Sequence, residues 1–167
     1  VAIVDPREVG LDTRSFDEAL RHAMREAPDV IMIGEIRDRE TMQHAMAYAE
    51  TGHLCLSTLH ANNTNQAIQR ILNFFPEAAH RQVLMDLSLN LKGVVGQRLL
   101  RNSAGQLVPA VEVMLLSPYV SELIQKGQTD DIKEAIAKSN ELGMMTFDQS
   151  LYDLYLRGEI TADQAID

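Results

Sequence analysis

The feature that most constrains this chain is Val30–Ile33, four consecutive apolar residues that run directly into Gly34 and Glu35. A strand without polar alternation is the kind covered on both faces in a parallel sheet, and parallel strands need crossover helices between them. Helical signals stand on either side of it. Upstream, Ser15 and Glu18 form an S-x-x-E start signal, and Phe16, Ala19, Leu20, Ala23, Met24 and Ala27 recur at helical spacing until Pro28 ends the run. Downstream, Asp38 is placed to cap a helix whose Met42, Ala45, Met46 and Ala49 share one face, with Gly52 at its end. Residues 54–59 then make a second apolar strand, closed by His60 and the polar turn Ala61-Asn62-Asn63-Thr64. Alternating helix and strand predicts an α/β fold, a largely parallel sheet with flanking helices.

The rest of the chain changes character. Residues 1–4 read as a short strand before the Asp5-Pro6 turn. Helical stretches are predicted at 65–73 and 77–91, and a β-hairpin extending the sheet at 97–100 and 107–116, around the turn Asn102-Ser103-Ala104-Gly105. After Ser117-Pro118 every segment has helical period: about 118–126, 130–138, 146–156 and a start at Thr161, separated by Gly127, Gly143 and Gly158. The expected division is therefore an α/β part over 1–116 and a small all-α domain over 117–167.

Composition narrows the function classes. Fifteen Lys and Arg against 24 Asp and Glu give a net charge of −9, which opposes general attraction to nucleic-acid phosphates or anionic lipid. The single cysteine, Cys55, excludes an internal disulfide and a cysteine-rich zinc site, and a reducing cytoplasm is the simplest setting. No apolar run approaches the ~18 residues of a membrane span. The opening VAIVDPRE is not a signal peptide, and the chain is expected to be part of something longer.

Chemistry concentrates at two places. Glu35 lies just past the C-terminal end of a parallel strand, where open α/β sheets bind ligands, and Gly34 leaves room beside it for phosphate, water or metal. His53 and His60 bracket the second strand, which puts them at opposite rims of the sheet. From the residues alone the simpler reading is two hydrogen-bonded loop histidines.

Fifteen consecutive residues, Met24-Arg25-Glu26-Ala27-Pro28-Asp29-Val30-Ile31-Met32-Ile33-Gly34-Glu35-Ile36-Arg37-Asp38, resemble the signature of the secretion ATPases that drive type II secretion and type IV pili. Ala49-Glu50-Thr51-Gly52-His53-Leu54-Cys55-Leu56-Ser57-Thr58-Leu59-His60 is similar to that family's histidine box, and Arg7-Glu8-Val9-Gly10 to the stretch before its first helix. The resemblance implies a RecA-like P-loop NTPase core followed by the helical domain. It makes Glu35 the Walker B glutamate, catalytic and holding Mg²⁺ through water, with Gly34 beside the nucleotide. His60 would sense the γ-phosphate side, His53 would help hold subunit geometry at the nucleotide, and Thr58 would support the His60 loop. ATP and Mg²⁺ are the implied cofactors.

Asp5-Pro6-Arg7-Glu8 superficially resembles the family's aspartate box, but the Arg-Glu-Val-Gly stretch belongs downstream of that box, so Glu8 is not assigned as a base. No glycine is followed by lysine anywhere in the chain, so the G-x-x-x-x-G-K-[ST] phosphate cradle is missing, and the chain is expected to be the C-terminal part of a larger ATPase, inactive alone.

The segments Asn73-Phe74-Phe75-Pro76 and Glu141-Leu142-Gly143-Met144-Met145-Thr146-Phe147-Asp148 resemble the PilT/PilU-type pilus retraction ATPases, the PilU branch most of all, and no cysteine follows Gln97-Arg98-Leu99 as a zinc element would require. Tyr119-Val120-Ser121-Glu122-Leu123-Ile124-Gln125-Lys126 keeps only the Leu-Ile core of the helix that the PilT branch needs for retraction. The implied setting is a homo-hexameric ring at the cytoplasmic face of the inner membrane, peripheral to it only through partners, acting with a PilT-type ATPase and the pilus platform protein, without nucleic acid. The alternatives are a non-catalytic assembly module of a pilus or secretion motor and, weakened by the acidic balance, a DNA-transport ATPase. Arg7, Arg25, Arg37 and Arg98 can pair carboxylates within the fold or reach a neighbouring subunit's phosphate, surface pairing being the commoner fate of an arginine; Arg25 and Arg37, inside the signature, are read as supports of the Glu35 loop, and no arginine finger is assigned.

Overall fold

The structure is a computed structural model that describes residues 4–166. All but the last residue of the strand expected over 1–4 lies outside them. The chain forms two compact units, one ending at Leu59 and the other beginning at His60.

In the first unit, Arg7 pairs with Asp5 and Glu26 and ties the entering segment to the end of the first helix, α1 (Phe16–Arg25). Ser15 accepts the Glu18 N–H at 3.1 Å, while the Glu18 carboxylate reaches back to the Arg14 N–H, one residue beyond the reciprocal partner of a full capping box. α1 closes two residues short of Pro28, and Ala27 takes a left-handed φ of 49°. Strand β1 (Val30–Ile33), helix α2 (Arg39–Glu50) and strand β2 (Leu54–Ser57) follow. The strands pair in parallel, Val30 opposite Leu54 through Ile33 opposite Ser57. Asp38 caps α2 by accepting the Thr41 N–H at 2.8 Å, and this bond, the largest cause, holds its carboxyl below the ordinary value.

The expectation that both strands are covered on both faces is corrected here. Ile31 and Ile33 are buried, but Met32 is 75% exposed, and Val30, Leu54 and Leu56 are also exposed. Within this unit α2 packs on β2 and α1 on α2, so one apolar face of the strand pair stays open.

The second unit comprises α3 (Thr64–Leu72), α4 (His80–Asn90), the hairpin β3 (Gly93–Arg101) and β4 (Leu107–Leu115), then α5 (Pro118–Lys126), α6 (Ile132–Ala137), α7 (Phe147–Leu156) and α8 (Ala162–Ile166). The hairpin forms as anticipated, but it pairs antiparallel as a two-stranded sheet of its own instead of extending the parallel pair. Met145 adds a single bridge to Val113. The hairpin and the later helices share a core: Ala110, Phe147, Leu154 and Ile160 are buried together, with Leu100 and Val108 packed against them. Gly96 permits this, because a Cβ there would lie 3.1 Å from the Phe147 ring, and Arg98 covers that ring at 4.6 Å. α5 ends at Gly127 in the left-handed conformation, as its position after the periodic run requires.

Candidate functional site

Parallel pairing puts the C-terminal ends of β1 and β2 at one rim and their N-terminal ends at the other, about 13 Å apart for four residues. Gly34, Glu35 and Thr58 are at the C-terminal rim. His53 is at the opposite rim, where its Nδ1 lies 3.0 Å from Thr51 Oγ1 and its backbone N–H donates to Tyr48. His60 is the first residue of the second unit and is exposed.

At the C-terminal rim the two segments stay zipped beyond the strands. The Ile36 N–H donates to the Thr58 carbonyl at 3.0 Å, and Thr58 Oγ1 donates to the Gly34 carbonyl at 2.6 Å. The Thr58 hydroxyl therefore fixes the turn that carries Glu35. Gly34 has open space where a Cβ would point. Ile36 is buried, which anchors the turn and leaves the flanking Glu35 and Arg37 side chains toward the surface.

Glu35 is not a bare carboxylate. Arg37 donates through Nε at 2.6 Å, and its second terminal nitrogen stands 2.5 Å from the same oxygen, Oε2. The Glu35 side chain is 19% exposed and that of Arg37 78%. This hydrogen bond raises the Arg37 pKa above its ordinary value. The pairing matches the structural reading of Arg37, and it places a cation directly on the acid at the rim.

A residue that the sequence reading passed over is Glu112. It is buried in β4, 5% exposed, and accepts the Thr64 N–H at 2.8 Å at the start of α3. Asn63 caps the same helix by accepting the Gln66 N–H at 2.9 Å. Together they hold the first turn of the helix that follows the His60 loop. The signal was present in the alternation of β4, where Ala110, Glu112 and Met114 all face inward.

Cys55 is half-buried, and burial raises its thiol pKa, which makes it a poor nucleophile. Among the described residues no helix is long and apolar enough to cross a membrane.

Residues 8–140 match the family described as Type II/IV secretion system protein. The chain is 58% identical over 165 residues to the Type IV pilus ATPase PilU of Pseudomonas aeruginosa, covering 98% of this chain and 43% of that protein. It is 39% identical over 163 residues to the Type IV pilus retraction ATPase PilT of the same organism, covering 98% of this chain and 47% of the relative. Among solved structures it is similar to the pilus retraction motor PilT with bound ADP, at a TM-score of 0.88 and 41% identity over 98% of this chain and 46% of that one. It is also similar to the Yersinia pseudotuberculosis ATPase DotB, at a TM-score of 0.86 and 26% identity over 99% of this chain and 43% of that one. The chain thus spans less than half the length of these relatives.

Proposed function

The chain belongs to the type II/IV secretion system protein family, and from that premise we propose that it carries the acid-bearing half of an ATP-hydrolysing motor for type IV pilus retraction. The observation that carries this reading is Glu35 at the C-terminal rim of a parallel strand pair, beside the open space at Gly34. That rim is where sheets of this class bind nucleotides. The ADP-bound PilT relative supports nucleotide use.

The residues fit a magnesium nucleotide: a carboxylate is a hard oxygen donor, and the missing Gly34 side chain leaves room for a hydrated ion. Glu35 would hold Mg²⁺ through water, and the bound ion would supply charge neutralisation on the phosphoryl oxygens. The work of this chain's own residues is positional. Glu35 orients the attacking water by accepting its hydrogen bond. Thr58, locked to Gly34, keeps the acid's turn from drifting, because a shift of about 1 Å in such a group costs on the order of a hundredfold in rate. Arg37 pairs with Glu35 and shares or releases it when the site fills. His60 monitors the γ-phosphate side, and His53, from the far rim, maintains subunit geometry.

The chain lacks a Gly-Lys step, so the phosphate cradle must come from outside these residues. The exposed face of Val30, Met32, Leu54 and Leu56 supports that view, because a parallel pair is normally covered on both sides. Residues 1–116 would serve as part of the core and 117–167 as the helical domain. The working assembly would be a homo-hexamer at the cytoplasmic face of the inner membrane, with a PilT-type ATPase and the platform protein as partners. The missing cradle also favours a second reading, a non-catalytic assembly module.

The test is Glu35→Gln in a full-length protein that contains the cradle. ATP binding should persist while hydrolysis falls by about 10²–10³-fold, as when one preorganised polar group is removed from a transition state. Turnover unchanged by the substitution would remove Glu35 from the chemistry. Absence of any nucleotide binding by the unsubstituted protein would favour the module.

A further inference from the structure

Outside the Glu35 rim, Asp17, Glu40 and His44 bring three metal-ligating atoms within 4.8 Å of one another. Glu40 and His44 are four residues apart on α2, so they rise from one face of the helix one turn apart. Asp17 comes from the first turn of α1. The donor set is one imidazole nitrogen and two carboxylates, drawn from two helices.

Two of the three ligands already stand at a bonded spacing. His44 Nε2 is 3.2 Å from Asp17 Oδ1, and a tetrahedral zinc ion with bonds of about 2.0–2.1 Å has ligand-to-ligand edges of about 3.3 Å. Both side chains are only about a quarter exposed, at 26% and 27%. The imidazole is stacked on Tyr48, with ring centroids 6.3 Å apart and planes 17° from parallel. Arg21 holds the other Asp17 oxygen, Oδ2, at 2.7 Å, which leaves Oδ1 directed at His44. Glu40 is exposed, and rotation about its side-chain bonds can bring its carboxylate in as the third ligand.

We infer that Asp17, Glu40 and His44 form a binding site for a divalent transition-metal ion of the zinc class. Three protein ligands leave a fourth position for water. The nitrogen ligand and the small ligand number disfavour calcium and magnesium, which take six or more oxygens. The ion would cross-link α1 to α2, the two helices that precede and follow the strand presenting Glu35. A metal bound only by the folded chain raises stability in proportion to the logarithm of its concentration.

The experiment is a titration of the full-length protein with zinc chloride against a chromophoric chelator, with thermal unfolding followed in parallel. One zinc per chain is expected at this site, with a rise in Tm. His44→Gln and Asp17→Asn should each weaken binding by about tenfold or more, since even loss of a ligand's supporting partner commonly costs that much. Glu40→Gln, at an exposed position that folding does not depend on, should weaken it in the same direction and abolish the zinc-induced rise in Tm. Zinc binding that stays within about twofold of the unsubstituted protein in Glu40→Gln, or no binding at all, overturns the inference and leaves a plain hydrogen-bonded cluster.

Discussion

Replacing Glu112 by alanine tests whether a buried acid on the hairpin secures the start of α3. The carboxylate accepts the Thr64 N–H at 2.8 Å in a setting only 5% exposed. A hydrogen bond to a charged group in such a place contributes about 1.5–3 kcal/mol. Its attraction to the positive end of the helix overlaps with that figure and is not added to it. Truncation also removes one buried methylene, at about 0.8 kcal/mol. Against these losses, the variant no longer desolvates a charge, which recovers part of the total. The expected net cost is about 2–3 kcal/mol. In equilibrium urea unfolding with an m-value of about 2 kcal/mol/M, that is a midpoint shift of about 1 M or slightly more. Glu112→Gln keeps an acceptor in the same place and should lose only about 1 kcal/mol. An alanine variant within about 0.5 kcal/mol of the original, or a glutamine variant as weak as alanine, would show that the Glu112–Thr64 contact does not hold the helix.

Three further outcomes follow from single contacts. Thr58→Val removes the 2.6 Å bond to the Gly34 carbonyl and should cost only about 0.5–1 kcal/mol at this exposed position, yet lower kcat in a hydrolysis-competent full-length protein, read by steady-state phosphate release. Asp38→Ala should cost about 1 kcal/mol near neutral pH through loss of the α2 cap. Because the folded pKa of Asp38 is lowered, its ionic contribution is present above the unfolded value and lost as pH falls through the folded one, so urea unfolding should show the difference between the two proteins shrinking below about pH 4. Ala27→Gly, at a φ of 49°, should raise stability by up to about 1 kcal/mol, measured as a higher Tm.

Much of the architecture was legible because it is written in short-range signals. The Ser15 and Asp38 caps begin their helices where the side chain can reach the N–H of the third helical residue, a contact decided within four residues. The same holds for the end of α5 at Gly127. The rim position of Glu35 followed from strand direction alone. Less legible were the start of β3, at Gly93 four residues earlier than expected, and the 3₁₀ turns Glu77–Ala79 and Thr129–Asp131 that precede α4 and α6. Helical period does not distinguish a tight turn from the helix it leads into.

By itself, then, the sequence determined the order of elements, the parallel pairing implied by two largely apolar strands, and the acid at the strand's end, because each depends on neighbours close along the chain. Only the tertiary structure decided which strand faces are covered, that the hairpin stands as its own sheet, that Glu112 reaches Thr64 across 48 positions, and that Asp17 meets His44. Those contacts arise when segments distant in sequence are packed together, and no local pattern carries the information that chooses their partners.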